Sequence, residues 1–176
     1  MSLERLKAKT WKDSLEKSLG KSFEVLLPRM PSSKNAKYLE WKIWFEKLTT
    51  FFDREVVFVG HSLGGIFLAK YLSENKYPKK IIGTFLISAP FDEKDLKDSL
   101  GDFELPQNLD LFEKQGGEIH IYHSKDDTFV PFVDSTKYKK SLSKAKMAVF
   151  KDRGHFFQET LPELAKDIRV IFKIGK

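Results

Sequence analysis

Ser62, Asp127 and His155 are the residues of this chain whose types and settings suit nucleophilic chemistry. Ser62 stands in Gly60-His61-Ser62-Leu63-Gly64, after the strand-like run EVVFV and before the helix-like run IFLAKYLSE. A sharp strand-to-helix turn strains the backbone of its central residue, and flanking glycines let the neighbouring chain pass without a Cβ clash. The serine oxygen is then held out at the top of a sheet. The following helix aims its free N–H groups and positive dipole end at a developing anion. His61, beside the serine, lines the pocket.

A serine needs a base, and the base needs an orienting group. The strand-like run EIHIYHS is followed by Lys125-Asp126-Asp127-Thr128-Phe129-Val130-Pro131. Asp127 is the preferred acid because Val130 and Pro131 would pin its loop; Asp126 remains the alternative, and the other member of the pair is a turn former. The run KMAVFK is followed by Asp152-Arg153-Gly154-His155-Phe156, where Gly154 lets the loop turn and Asp152 is expected to brace it. His155 is the best base in the chain. The order Ser62, Asp127, His155, each after a successive strand, is the order expected of α/β-hydrolases. His120 reads as a packed strand residue, and His123 ends its strand within possible reach of Asp127. No spacing of histidines suggests a metal site.

The elements that must position these residues alternate. Thr10 to Asp13 reads as a capping box opening a helix with Trp11, Leu15 and Leu19 on one face and Gly20 as its stop. SFEVLLP, ended by Pro28, reads as a strand. KNAKYLEWKIWFEKLTTFF is helical with two apolar stripes: Ala36, Leu39 and Ile43, and Tyr38, Trp41, Phe45, Leu48 and Phe52. A wide core face accounts for both. KKIIGTFLISAP reads as a buried parallel strand, and the polar segment from Phe91 to Gln115 as partly helical. DSTKYKKSLSKA and LPELAKDIRVIFKIGK complete the helices, with Pro162 near the first turn of the second. The charged start, MSLERLKAKT, also reads as helix. This pattern predicts an α/β protein: a three-layer α/β/α sandwich around a mainly parallel sheet, in one domain over residues 1–176, with ligands bound at the carboxyl ends of the strands.

The bulk composition agrees. The 176 residues are 41% hydrophobic and 32% charged, with 16 Phe and no Cys. That composition suits a globular core and excludes disulfides, thiolate catalysis and Cys-based metal sites. The net charge of +6 comes from lysines spread over the chain, which reads as a solvated surface and not as a nucleic-acid face. No run approaches the length of a membrane span, and the N-terminus has no apolar core of a secretory signal, so a cytoplasmic protein is expected.

GHSLGG at 60–65, LISAP at 86–90, HSKDDTFVP at 123–131 and DRGHF at 152–156 resemble the small, nearly lidless serine hydrolase family that includes the retinoblastoma-binding serine hydrolase and many bacterial homologues. FEVLLPRMP at 23–31 and Trp41 are similar to that family's second strand and helix, so the likeness runs from about Trp11 to the C-terminus. The resemblance implies an α/β-hydrolase with a minimal lid. It implies Ser62 as nucleophile, Asp127 as acid and His155 as base, acting on a small ester or amide-like acyl substrate through an acyl-enzyme, with no cofactor. In one respect the chain departs from the pattern. The family begins with an apolar strand whose loop gives one of two oxyanion donors, Leu63 N–H being the other, and MSLERLKAKT is no such strand. Two consequences are expected. FEVLLP either pairs directly with VVFVG or leaves a gap that something else fills, a second copy in a homodimer included. The oxyanion hole is half built. A catalytically weakened protein-interaction module, using Tyr38, Trp41, Trp44 and Phe45 as its surface, is the competing reading.

Overall fold

The computed structural model describes residues 9–96 and 99–174. The helix expected over MSLERLKAKT lies outside these residues except for Lys9 and Thr10, which are not helical.

The described residues fall into two compact units, one from Met30 to His155 and one made of the segments up to Arg29 and from Phe156 onward. The larger unit holds a four-stranded parallel sheet in the order β1-β2-β3-β4. Its strands are β1 (Glu55–His61), β2 (Lys80–Ile87), β3 (Glu118–Ser124) and β4 (Lys146–Phe150). The crossover helices are α3 (Leu63–Glu74) after β1, the short α4 (Asp110–Gln115) after β2, and α5 (Phe132–Ser141) after β3. Parallel neighbours require such crossovers, and each one returns the chain to the same edge of the sheet, so the carboxyl ends of β1, β2 and β3 lie side by side.

Alternate residues of the central strands are buried on both faces. Leu86, Ile119 and Ile121 join a core shared with Ile66, Phe67 and Leu72 of α3 and with Tyr138 of α5. On the opposite face Phe85 stacks on His120 at a centroid distance of 4.5 Å and meets Tyr122 edge-on at 5.9 Å. His120 is therefore a packed residue, as its place in the strand suggests.

Helix α2 (Tyr38–Leu48) precedes β1. One of its two stripes is buried: Trp41 and Phe45 are each 5% exposed and pack edge-on against Phe67. The other faces out, with Leu39 63% and Ile43 47% exposed. The expected wide core face is thus wrong. A single helix packed against the sheet presents one side to it, and here that side is the aromatic one.

The segment after β2 packs onto the main core. Leu100, Phe103, Leu109 and Phe112 are buried in the main core. Its start is clamped to α5, where Tyr138 Oη donates to Pro90 O at 2.8 Å and Phe91 N–H donates to the buried Asp134 carboxylate at 3.1 Å.

In the smaller unit, α1 (Trp11–Leu19) packs against α6 (Pro162–Ile174). Thr10 N–H donates to Asp13 Oδ2 at 2.8 Å, closing the N-terminus of α1, and Gly20 ends it at φ 85°. Trp11 Nε1–H donates to Phe156 O at 3.0 Å.

The strand expected over SFEVLLP does not form. Phe23 packs edge-on against Phe172 of α6 at 5.0 Å, while Leu26 and Leu27 are exposed. An apolar run becomes a strand only where a neighbouring strand takes up its backbone hydrogen bonds, and the sheet order gives it none. β1 consequently ends the sheet: among the described residues no strand pairs with its outer side. The expected direct pairing of FEVLLP with VVFVG is absent.

Candidate active site

The first part of the site is the turn from β1 into α3. Ser62 sits there at φ 54° and ψ −124°, a left-handed conformation that strains any residue with a Cβ. Two backbone bonds hold it. Ser62 N–H donates to Ile87 O of β2 at 2.9 Å, and Gly65 N–H donates to Ser62 O at 2.8 Å. A Cβ on Gly60 would lie 2.4 Å from Gly64 O, so the turn closes only because Gly60 has none. A Cβ on Gly65 would lie 2.5 Å from the Cβ of Ala89, whereas one on Gly64 would meet nothing within 4 Å. The second sterically required glycine is therefore Gly65, one residue beyond the G-x-S-x-G pattern. Leu63 opens the 12-residue α3, so its N–H has no acceptor four residues back and belongs to the positive end of the helix dipole next to Ser62.

The second part is the loop after β3. Asp127 Oδ1 accepts from Phe129 N–H at 2.8 Å and from Val130 N–H at 3.0 Å. Its Oδ2 accepts from His155 Nδ1 at 2.9 Å. The Asp127 side chain is fully buried. Burial alone would push its carboxyl up, but hydrogen bonds, that from His155 foremost, more than offset this and hold it below the ordinary value of 3.8. Asp127 is thus ionised at neutral pH and fixes the tautomer of His155. With Nδ1–H donating to the carboxylate, Nε2 keeps its lone pair.

Asp126 takes a different part. Its Oδ1 accepts from Gly154 N–H at 2.9 Å and from the Ser124 hydroxyl, tying the β3 loop to the loop that carries His155. The bracing expected of Asp152 falls to Asp126 instead; Asp152 is exposed. A carboxylate at the end of the inner strand β3 reaches the loop leaving the edge strand β4, and one already on that outer loop points to solvent.

His155 is 6% exposed and lies between two rings, His61 at 4.8 Å and Phe129 at 5.0 Å. His61 Nε2 is 2.7 Å from His155 O, and a carbonyl only accepts, so His61 donates there and holds the backbone of His155. His123 Nε2 similarly donates to Val130 O at 3.0 Å and stands 3.8 Å from Asp127 Oδ2. Burial pushes the His123 imidazole down, so it is neutral at pH 7. Through His61 the Ser62 turn and the His155 loop are brought together. The Ser62 hydroxyl makes no hydrogen bond to His155; such bonds are often loose without substrate and tighten in the reactive complex.

A family model described as serine hydrolase matches residues 4–161. The chain belongs to the serine hydrolase family. A curated relative, serine hydrolase RBBP9 of Rattus norvegicus, is 26% identical over 147 residues, covering 84% of this chain and 77% of that protein. The crystal structure of the ydeN gene product of B. subtilis superposes with a TM-score of 0.84 at 20% identity, covering 93% of this chain and 91% of that one. A carboxylesterase structure from Nitrososphaera gargenis covers 85% of this chain and 78% of its own, with a TM-score of 0.61 and 15% identity. The structural neighbours support an α/β-hydrolase fold, and the family match supports a hydrolase. Among the described residues no helix is long and apolar enough to cross a membrane.

Proposed function

We propose that this hydrolase cleaves small esters or amide-like substrates through an acyl-enzyme. Ser62 is the nucleophile, His155 the base, Asp127 the acid and Leu63 N–H an oxyanion donor. The observation that carries this reading is the 2.9 Å bond from His155 Nδ1 to the buried Asp127, beside a serine turn at φ 54°.

In this reading Ser62 Oγ attacks the substrate carbonyl as His155 Nε2 takes the hydroxyl proton. The charge arriving on the carbonyl oxygen meets Leu63 N–H and the N-terminus of α3. His155, now an imidazolium balanced by Asp127, gives the proton to the leaving group, and an acyl-Ser62 ester remains. Water enters, gives its proton to Nε2, and attacks the ester; collapse returns the proton to Ser62 Oγ and releases the acid. The half-exposed Phe129, its ring tilted against that of His155 at 5.0 Å, offers the acyl or alcohol group an apolar wall. Among the described residues nothing forms a lid beside the site, which suits short chains.

The resemblance places a second oxyanion donor on the loop of a strand next to β1, and among the described residues the sheet has no strand there. A second reading, an interaction module on a hydrolase scaffold, loses most of its expected surface because Trp41 and Phe45 are buried; what α2 presents outward is Leu39, Ile43 and Trp44.

Steady-state hydrolysis of p-nitrophenyl acetate and butyrate separates the two. The enzyme reading expects release of p-nitrophenol that vanishes in Ser62→Ala. A folded wild-type protein that hydrolyses neither ester, or a Ser62→Ala variant as active as wild type, would overturn it.

A further inference from the structure

His123 is the penultimate residue of β3, four residues before Asp127, and its side chain is 1% exposed. Burying an imidazole costs more than burying an alkyl or phenyl group unless its polar atoms are used. The reaction proposed above gives it no proton to move. Three contacts fix where it points. Nε2 donates to Val130 O at 3.0 Å, so Nε2 carries the hydrogen of the neutral ring. Phe132, in the first turn of α5, meets the ring edge-on at a centroid distance of 5.8 Å. The same Nε2 stands 3.8 Å from Asp127 Oδ2, beyond hydrogen-bond reach but close enough for a charge to be felt.

These contacts meet at the carboxylate that orients His155. Val130 is held from two sides: its O accepts from His123, and its N–H donates to Asp127 Oδ1 at 3.0 Å, beside Phe129 N–H at 2.8 Å. Oδ2 is the oxygen that faces His155 Nδ1 at 2.9 Å. The residue at 123 therefore has two demands to meet. It must donate to Val130 O, and it must stand beside Oδ2 without taking that oxygen from His155. A lysine or arginine would meet the first and fail the second, because its charge would draw the carboxylate away. Leucine or phenylalanine would meet the second and leave Val130 O without its donor. An imidazole kept neutral by burial meets both. The other charged or titratable groups that face His123 are engaged elsewhere: Asp134 of α5 is paired with Lys137 at 3.0 Å, and His155 is bonded to Asp127.

We propose that His123 is a positioning residue for the hydrolytic reaction, its Nε2–H acting through Val130 to anchor Asp127 for His155. By holding Val130 it fixes one of the two backbone donors on Oδ1. Its ring fills the space beside Oδ2 without bonding that oxygen, which stays with His155 while His155 carries the proton. The proposal rests on the reading of Ser62, Asp127 and His155 given above. His123 itself touches neither substrate nor the reacting atoms.

The test compares wild type with His123→Phe, which keeps a buried ring and removes the donor, and with His123→Gln, whose amide nitrogen takes the place of Nε2. Hydrolysis of p-nitrophenyl acetate is measured for each, with Ser62→Ala alongside. Phe is expected to lower kcat about tenfold, the equivalent of one hydrogen bond, with KM unchanged. Gln is expected to recover most of that loss. The downfield proton resonance of His155 Nδ1–H reads the alignment without turnover, and it is expected to move in the Phe variant and to stay in place in the Gln variant. A folded Phe variant with wild-type kcat and resonance would overturn the proposal even if its melting temperature fell, because His123 would then only brace the loop. A Gln variant as impaired as Phe would overturn it too. The wild-type chain supplies a check that stands even if His123→Phe does not fold: the nitrogen shifts of His123 are expected to show a neutral ring protonated at Nε2 at pH 7, and a ring protonated at Nδ1 would contradict the proposal. Ester hydrolysis absent from wild type, or retained in Ser62→Ala, would instead overturn the underlying reading.

Discussion

Replacing His155 by alanine is expected to lower kcat by about 10⁴-fold or more. Without an acceptor for its proton Ser62 is a neutral alcohol, and nothing protonates the leaving group. Asp127→Asn is expected to cost about 10⁴-fold, because the amide can donate to Nδ1 and turn the imidazole into the wrong tautomer. The neighbouring change is the informative control. Asp126 bonds Gly154 N–H and Ser124, and it does not meet the imidazole. Asp126→Asn is therefore expected to keep most of the turnover while lowering the melting temperature. Ester hydrolysis and thermal unfolding of the three variants check this. Equal losses at 126 and 127 would contradict the division of labour between the two carboxylates.

The second large effect is on folding. Gly60→Ala is expected to destabilise the protein by about 3 kcal/mol or more, a large part of the usual stability of a domain. The added Cβ would lie 2.4 Å from Gly64 O and 2.7 Å from Gly65 Cα. Both are backbone atoms, so no side-chain rotation relieves the clash, and the turn that presents Ser62 must open. Gly64→Ala is the contrast. Nothing lies within 4 Å of its added Cβ, and alanine is favoured in a helix by about 1 kcal/mol. Urea unfolding is expected to show a sharply lower midpoint for Gly60→Ala and an equal or higher one for Gly64→Ala. Similar midpoints for the two would contradict the steric account of the turn.

The parts of this structure that were legible in the sequence are those fixed by local rules. EVVFV, the serine turn and IFLAKYLSE follow from β-branched enrichment, glycine placement and helical periodicity within a short span. Thr10 and Asp13 announce α1 by a capping box that the structure contains. Asp127 and His155 lie where strand-end logic puts them, and their hydrogen bond joins residues 28 apart.

What was not legible depended on distant partners. SFEVLLP has the composition of a strand, but composition does not supply a neighbour to pair with. The two stripes of α2 look equivalent as a pattern; only the position of Phe67 decides that Trp41 and Phe45 go inward. Ser88 reads as one residue of an apolar run, and its φ of 43° and its backbone bond to Tyr122 O come from the alignment of neighbouring strand ends. The exchange of roles between Asp152 and Asp126 is likewise a matter of which loop faces inward. The bond from His61 to His155 O joins residues 94 apart, and no local signal marks it.

The same comparison explains how the histidine is held. Its ring is bonded at Nδ1 to Asp127, its backbone oxygen to His61, and its ring is in tilted contact with those of His61 and Phe129. In the proposed reaction a base held in this way would lose little freedom on receiving the proton. This hold is also the reason the Ser62 turn and the His155 loop act together although they leave opposite edges of the sheet.

The central claim is that Ser62 is an activated nucleophile, and the most direct measurement is labelling of the folded chain with a fluorophosphonate probe followed by peptide mapping. The account predicts a single phosphonylated residue, Ser62, with labelling lost in both Ser62→Ala and His155→Ala. A folded wild-type chain that stays unlabelled, or one labelled elsewhere and equally in Ser62→Ala, would contradict it.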